Sequence, residues 1–410
     1  MNRLRTIATR GDTPVLALSI ATGAVVATVI AGFEYVSATV LLDRVLHRPL
    51  WQIALAPALG LILANLILRY AGRSMSASTS DEFNRAFHER SPHLPLRDLP
   101  LKLLAGITTI GLGGSLGLEG PSIYAGSSIG LAMRNRFRRW LRRDDVKILL
   151  TAGAAAGVAA VFKAPATGVL FALEAPYRDD VNRRALLPSL LAAATSYVVY
   201  VNLIGHESVI PFLNDPLNRI GLNVKELSIA SSEKIVWFEA SDLANLFTAV
   251  QVNDVFGALL LGIFAGLGGR SMAWLARWAK TQSRTDHFVR RSLLGGAALA
   301  GLAFASDLLF DAPLTIGPGF EAMDWVVNPS NGLGLIALLF GLRMAATIVT
   351  LAAGGVGGLF IPLAVQGVIL GQFTGQLLGS DRPGLYPTLG LAAFLGAGYR
   401  APISAVMFVA

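Results

Sequence analysis

One carboxylate, Glu119, is the only acidic residue between Asp98 and Asp144, and uncharged sequence leads away from it on both sides. An acid at membrane depth costs about 2.5–3.5 kcal/mol on insertion scales, and such residues usually mark ion or proton pathways. Gly120 and Pro121 follow it, and Pro121 suits the first turn of a helix. Glu119 and Gly120 are therefore expected at a helix N-terminus, whose unpaired amides favour an anion. Burial disfavours the charged form of the side chain, while a facing helix N-terminus favours it. That balance suits a group that changes protonation state during its work. The plainer reading is a carboxylate at a helix end in the headgroup region.

The rest of the chain offers little other chemistry. There is no cysteine, so neither a disulfide framework nor a thiolate site is available. The five histidines, His47, His88, His93, His206 and His287, all lie outside the long apolar runs and read as solvated loop residues. Ser115, within Gly-Gly-Ser-Leu-Gly, has no histidine at membrane depth to act as its base, which opposes a serine nucleophile. No enzyme activity, metal or cofactor is expected.

The elements that would position Glu119 are legible as a repeat. Gly117-Leu118-Glu119-Gly120-Pro121 is followed by Gly126 and Gly130; Gly358-Leu359-Phe360-Ile361-Pro362 is followed by Gly367 and Gly371. The prolines and both following glycines are each 241 residues apart. A second pair, Val161-Phe162-Lys163-Ala164-Pro165 with Phe171 and Gly398-Tyr399-Arg400-Ala401-Pro402 with Phe408, repeats at an offset of 237. Interrupted helices at matching places in two halves of a membrane chain point to a transporter with its site at the repeat interface. In the second break the side chains of Leu359 and Phe360 cannot bind an ion, but their backbone N–H groups can. The alternative is a packing kink without a ligand.

Composition agrees with a polytopic membrane protein: 410 residues, 53% hydrophobic, 15% charged, mean hydropathy +0.57. Uncharged runs at 185–205, 255–269, 292–306, 344–380 and 383–399 reach or approach bilayer length. The run 344–380 is too long for one span and is read as two segments meeting at Gly354, Gly355, Gly357 and Gly358. The net charge of +8 is spread over loops and does not suggest nucleic acid. By the positive-inside rule the clusters at Arg134–Arg143 and Arg270–Arg291 are expected on the cytoplasmic side, and the acidic loop near 206–244 outside. The expected organisation is a cytoplasmic segment 1–13, a first membrane half 14–205, an extracytoplasmic linker 206–247 and a second membrane half 248–410. No cleaved signal is expected at the N-terminus. The apolar run 401–410 is expected to continue into further helices.

These residues resemble a known family. Gly114-Ser115-Leu116-Gly117-Leu118-Glu119-Gly120-Pro121-Ser122 resembles the gate motif of the CLC chloride channels and chloride/proton antiporters. Gly357-Gly358-Leu359-Phe360-Ile361-Pro362 is similar to that family's second anion-binding motif. The stretch 152–165 resembles the approach to its internal helix, and Thr315-Ile316-Gly317-Pro318-Gly319-Phe320 the Gly-rich turn early in its second half. The resemblance implies an all-α, multi-pass CLC fold, an inverted repeat with broken and tilted helices. It implies a homodimer in a cell membrane (the inner one, in a bacterium), each subunit with its own anion pathway. Glu119 would be the gate and proton acceptor. The amides of Leu359 and Phe360, with those of Gly117, Leu118 and Gly120, would hold a dehydrated anion.

Four departures qualify the resemblance. The usual arginine before the gate glutamate is Leu118 here. The first-half serine motif is lacking as such; counting back from Lys102 puts Ser78 at the anion-coordinating serine, with Ser74 and Met75 as rival placements. The inner proton-relay glutamate of many antiporters falls on Ala175, just after Glu174. The last helix, source of a coordinating tyrosine in many members, is not in this sequence. Chloride/proton exchange gated by Glu119 is the expected function. A passive chloride channel and a fluoride/proton antiporter of the same fold are the alternatives.

Overall fold

The computed structural model describes residues 13–176, 182–205, 252–283, 287–328, 330–380, 382 and 384–409. The expected segment 1–13 and linker 206–247 lie almost wholly outside them. The first half contains α1 (Thr13–Glu34), α2 (Leu50–Leu66), α3 (Ser80–His88), α4 (Leu99–Gly111), α5 (Glu119–Arg136), α6 (Asp145–Phe162), α7 (Pro165–Glu174) and α8 (Arg183–Ile204). The second contains α9 (Val252–Gln282), α10 (Phe288–Phe310), α11 (Phe320–Val326), α12 (Leu333–Ala352), α13 (Phe360–Leu377), α14 (Leu385–Tyr399) and α15 (Pro402–Val409). Among the described residues, eight helices are long and apolar enough to cross a membrane. Large apolar side chains on them, such as Leu259, Leu267 and Leu308, are exposed, as suits helices that face lipid.

The glycines and prolines flagged above explain the breaks. The run 344–380 divides between Ala352 and Phe360, where Gly354 takes a φ of +85° that an L side chain rarely adopts. Helix α6 ends at Lys163 (φ +52°) and α14 at Arg400 (φ +58°), both left-handed caps, and each is followed by Ala-Pro. Pro165 and Pro402 cannot continue the preceding helix, so each opens the next one.

Small residues let the buried helices touch backbone to backbone. Helix α5 meets α6 where Gly126 faces the Gly153 carbonyl and Gly130 faces that of Leu149. In the second half α13 meets α14 the same way, Gly367 against the Gly390 carbonyl and Gly371 against that of Tyr386. This is the close approach that packs helices in lipid, where burying apolar surface drives nothing. A Cβ at Gly153 would fall on the Gly126 backbone, 2.7 Å from its carbonyl carbon. Gly153→Val should therefore cost upward of about 3 kcal/mol by overpacking. Its expected sign is loss of the monodisperse peak when detergent extracts are run on size exclusion.

Two sequence expectations need correcting. Arg270, Arg277 and Lys280 lie on α9 rather than in a loop, because α9 runs for 31 residues, well beyond the about 20 that span a bilayer. His88 is the last residue of α3, and its Nε2 lies 2.7 Å from the Pro176 carbonyl, so it is not a free loop side chain.

Candidate anion site

The two breaks meet. Gly117 and Gly358, 241 residues apart, form an antiparallel backbone bridge, the Gly117 N–H donating to the Gly358 carbonyl at 3.0 Å and the reverse bond measuring 2.8 Å. Each half also holds the other's loop with a threonine. The Ser115 N–H donates to Thr350 Oγ1 at 3.2 Å, and the Val356 N–H donates to Thr109 Oγ1 at 3.1 Å. Thr109 and Thr350 are themselves 241 apart, as are Ser115 and Val356. The two loops are thus braced reciprocally across the repeat. Ser115 spends its own hydroxyl on Thr347 Oγ1, 3.0 Å away.

Glu119 opens α5, but its side chain reaches across the bridge to α13. Oε1 accepts the Phe360 N–H at 2.5 Å. The carboxyl is fully buried, and Oε2 has no hydrogen-bond partner. The carboxylate thus sits on an amide at the start of an 18-residue helix, where the positive end of the peptide dipoles favours negative charge. Gly120 packs against the second break: a Cβ there would come within 2.9 Å of the Gly357 carbonyl. The neighbouring Leu359 N–H donates to the Tyr399 hydroxyl at 3.3 Å. Each of the two amides of the second break therefore faces a side-chain oxygen. Leu118 is buried beside them.

Around Phe360 an aromatic wall closes. The Phe162 ring is 4.1 Å from it, Phe408 5.0 Å, Tyr399 5.9 Å and Phe171 6.0 Å between centroids. Phe171 and Phe408, which stood in matching register in the sequence, converge here.

The first-half serines are arranged less simply. Ser78 lines a cavity of about 40 Å³ together with Gly357 and Leu359. Its hydroxyl donates to Asp81 Oδ2 at 2.8 Å, and its carbonyl accepts Lys102 Nζ at 2.5 Å. Thr79, which the sequence reading passed over, is buried and lies 3.5 Å from the Gly357 carbonyl. Ser74 and Met75 line a larger cavity of about 400 Å³. Ala175 lines a third, of about 220 Å³, which reaches back to Leu359 and Tyr399. Glu174 turns away from it: its carboxylate accepts the Ile403 and Ser404 N–H groups at 3.2 and 3.0 Å and the Ser404 hydroxyl at 2.6 Å, capping α15.

Lys102 fixes the serine segment. It is buried, pairs with Glu82 Oε1 at 2.7 Å and lies 4.6 Å from the centre of the Tyr124 ring. Removing one partner of a buried pair strands the other charge, at about 3–5 kcal/mol. Lys102→Met should lower the melting temperature in detergent strongly, and adding Glu82→Gln should restore part of the loss. Additive losses in the double variant would show that the pair is not coupled.

Thr109, Thr350, Thr79 and Tyr399 are the site residues that sequence reasoning missed. For the first two the register of 241 was a usable signal. Among the described residues no group of acids and histidines is arranged to hold a metal ion.

A family model described as voltage gated chloride channel matches residues 59–410. Among solved structures, a slow cyanobacterial chloride/proton antiporter superposes with a TM-score of 0.71 at 22% identity, covering 96% of this chain and 88% of that one. A CLC-type fluoride/proton antiporter gives 0.74 at 22% identity, covering 97% and 93%. A eukaryotic CLC transporter gives 0.63 at 18% identity, covering 96% and 70%. At these identities the likenesses are of fold alone.

Proposed function

This chain belongs to the voltage gated chloride channel family, and on that premise we propose that it exchanges chloride for protons through a pathway gated by Glu119. It is a multi-pass membrane protein of a family that moves anions. One observation carries the finer reading: the buried Glu119 carboxylate accepts the Phe360 amide at the start of α13. An anion bound by the amides of Leu359 and Phe360, with those of Leu118 and Gly120, would compete with the carboxylate for that place. The Gly117 N–H, which the sequence also put forward, is given to the Gly358 carbonyl at 3.0 Å instead. Protonation of Glu119 weakens its hold on the amide and favours the anion's entry, so one group serves as plug and proton carrier. Backbone dipoles hold a halide without a full positive charge, which lets it leave. Ala175 supplies no inner relay, and the cavity it lines has room for water to do so. The family reading also proposes a homodimer in a cell membrane, with the arginine-rich face cytoplasmic.

Sealed liposomes test this directly. A chloride gradient should drive protons uphill, and chloride flux that moves no protons would instead support the passive channel. Fluoride/proton exchange is the second reading. It is favoured by the Ser78 hydroxyl, which is turned to Asp81 rather than toward the second break. Fluoride efflux much faster than chloride efflux would select it.

A further inference from the structure

Two donors beside the second break are both given to one carboxylate oxygen. The Ser78 hydroxyl donates to Asp81 Oδ2 at 2.8 Å, and Lys280 Nζ lies 2.5 Å from that same atom. Ser78 and Lys280 also line the cavity of about 40 Å³ that includes Gly357 and Leu359. At about 10–15 Å³ for one water, that space takes a small anion and little besides. A hydroxyl and an ammonium are the side-chain donors such an anion would use there.

Asp81 stands in the first turn of α3, as Glu119 does in α5. Each acid reaches a donor of the second half, Lys280 on α9 for one and the Phe360 amide of α13 for the other. The Asp81 carboxylate also has room to retreat. It lines the cavity of about 220 Å³ that contains Ala175, and Ser80, Lys280 and Leu359 line both cavities. In the ion pair the Lys280 side chain is 32% exposed and that of Asp81 55%. A pair so open to solvent is worth little, so Lys280 can exchange the carboxylate for another anion.

We propose that Asp81 is a second plug: its carboxylate holds the place of an anion on Ser78 and Lys280, and a halide arriving from the Lys280 end of α9 displaces it into the larger cavity. The pathway then carries a competing carboxylate at each of two seats, Glu119 on the Phe360 amide and Asp81 on Ser78 and Lys280. Asp81 thereby sets how tightly halide is held on that side. This rests on the reading of the two breaks as an anion pathway.

Chloride and fluoride are titrated by calorimetry into purified protein in halide-free detergent buffer, and efflux from liposomes is followed over a range of halide concentrations. Asp81→Asn keeps the shape of the side chain and an oxygen for the Ser78 hydroxyl, but gives up the charge that competes for Lys280. It should tighten halide binding about three- to fivefold, as much as an exposed pair of this kind returns. The halide concentration for half-maximal efflux should fall by a similar factor, with the maximal rate kept or raised. Lys280→Gln should act the other way and weaken binding, because the anion loses a donor while Asp81 stays. A merely structural ion pair would make the two variants alike, both with a lower melting temperature and an unchanged half-saturating concentration. Glu89→Gln removes the same charge just past the far end of α3 and should leave halide binding as it is. Melting curves check folding, and Lys280→Gln carries the test if Asp81→Asn does not fold. An unchanged constant in Asp81→Asn, unweakened binding in Lys280→Gln, or equal tightening in Glu89→Gln would each overturn the proposal. Tighter binding in Asp81→Asn by a chain that moves no halide would sustain the seat and overturn the transport reading.

Discussion

Glu119→Gln should leave halide flux running while proton movement falls to the level of protein-free liposomes. Glutamine keeps the length and shape of the side chain, and its carbonyl oxygen can still accept the Phe360 N–H that Oε1 now accepts at 2.5 Å. It can neither ionise nor carry a proton, so any coupling that depends on this group ends. The bond also weakens, because one to a charged acceptor is worth about 1.5–3 kcal/mol and one between neutral groups about 0.5–1.5 kcal/mol. A weaker plug is displaced more readily by a halide. Anion efflux should accordingly lose most of its dependence on pH, where the wild type speeds up on acidification as the carboxylate takes up a proton. Proton movement that survives in Glu119→Gln would place the carrier elsewhere and remove the gate from this reading. If the chain is a passive channel, wild-type and variant liposomes will both lack coupling, and only the pH response will separate them.

The backbone of this site was more legible than its side chains. Glycine and proline act through main-chain geometry, so their spacing announced both breaks, the two helix starts and the register of 241 that brings Gly117 onto Gly358. Contacts between small residues follow the same logic, and Gly126 and Gly367 occupy equivalent places. Side-chain direction is a different matter. Ser78 stands next to Thr79 in the sequence, but a residue's place in a turn decides whether its hydroxyl faces the pathway or an acid three positions on. Tyr399 ends α14, just before the left-handed cap at Arg400, and its hydroxyl meets the Leu359 amide of the other loop. Thr109 and Thr350 read as ordinary apolar-helix threonines until their partners across the repeat are known. Glu174 and Ala175 show the limit: adjacent in sequence, one caps a helix and the other lines a cavity. Residues within the two break motifs could be located; Thr109, Thr350 and Tyr399, which brace those breaks from outside them, were not read as site residues.

The two glycines of the bridge should respond differently to a single methyl group, although the repeat makes them equivalent. At Gly117 the nearest atoms to an added Cβ all belong to the Glu119 carboxyl group, its carbon at 2.7 Å. A flexible side chain can give way, so Gly117→Ala should fold and expel the carboxylate from the Phe360 amide. At Gly358 the methyl meets the same carboxyl group and also the Gly120 nitrogen at 2.5 Å. That backbone belongs to the first turn of α5 and cannot retreat without parting the two halves. Gly358→Ala should therefore cost about 1–3 kcal/mol by overpacking, with a lower melting temperature and little flux of any kind. Gly117→Ala should keep a near-native melting temperature, pass halide faster at neutral pH, and respond less to acidification. The contrast separates the plug from the frame that holds it. A Gly117→Ala protein with wild-type flux and pH response would mean that the carboxylate does not occupy this seat during transport, and the competition between Glu119 and the anion would have to be abandoned.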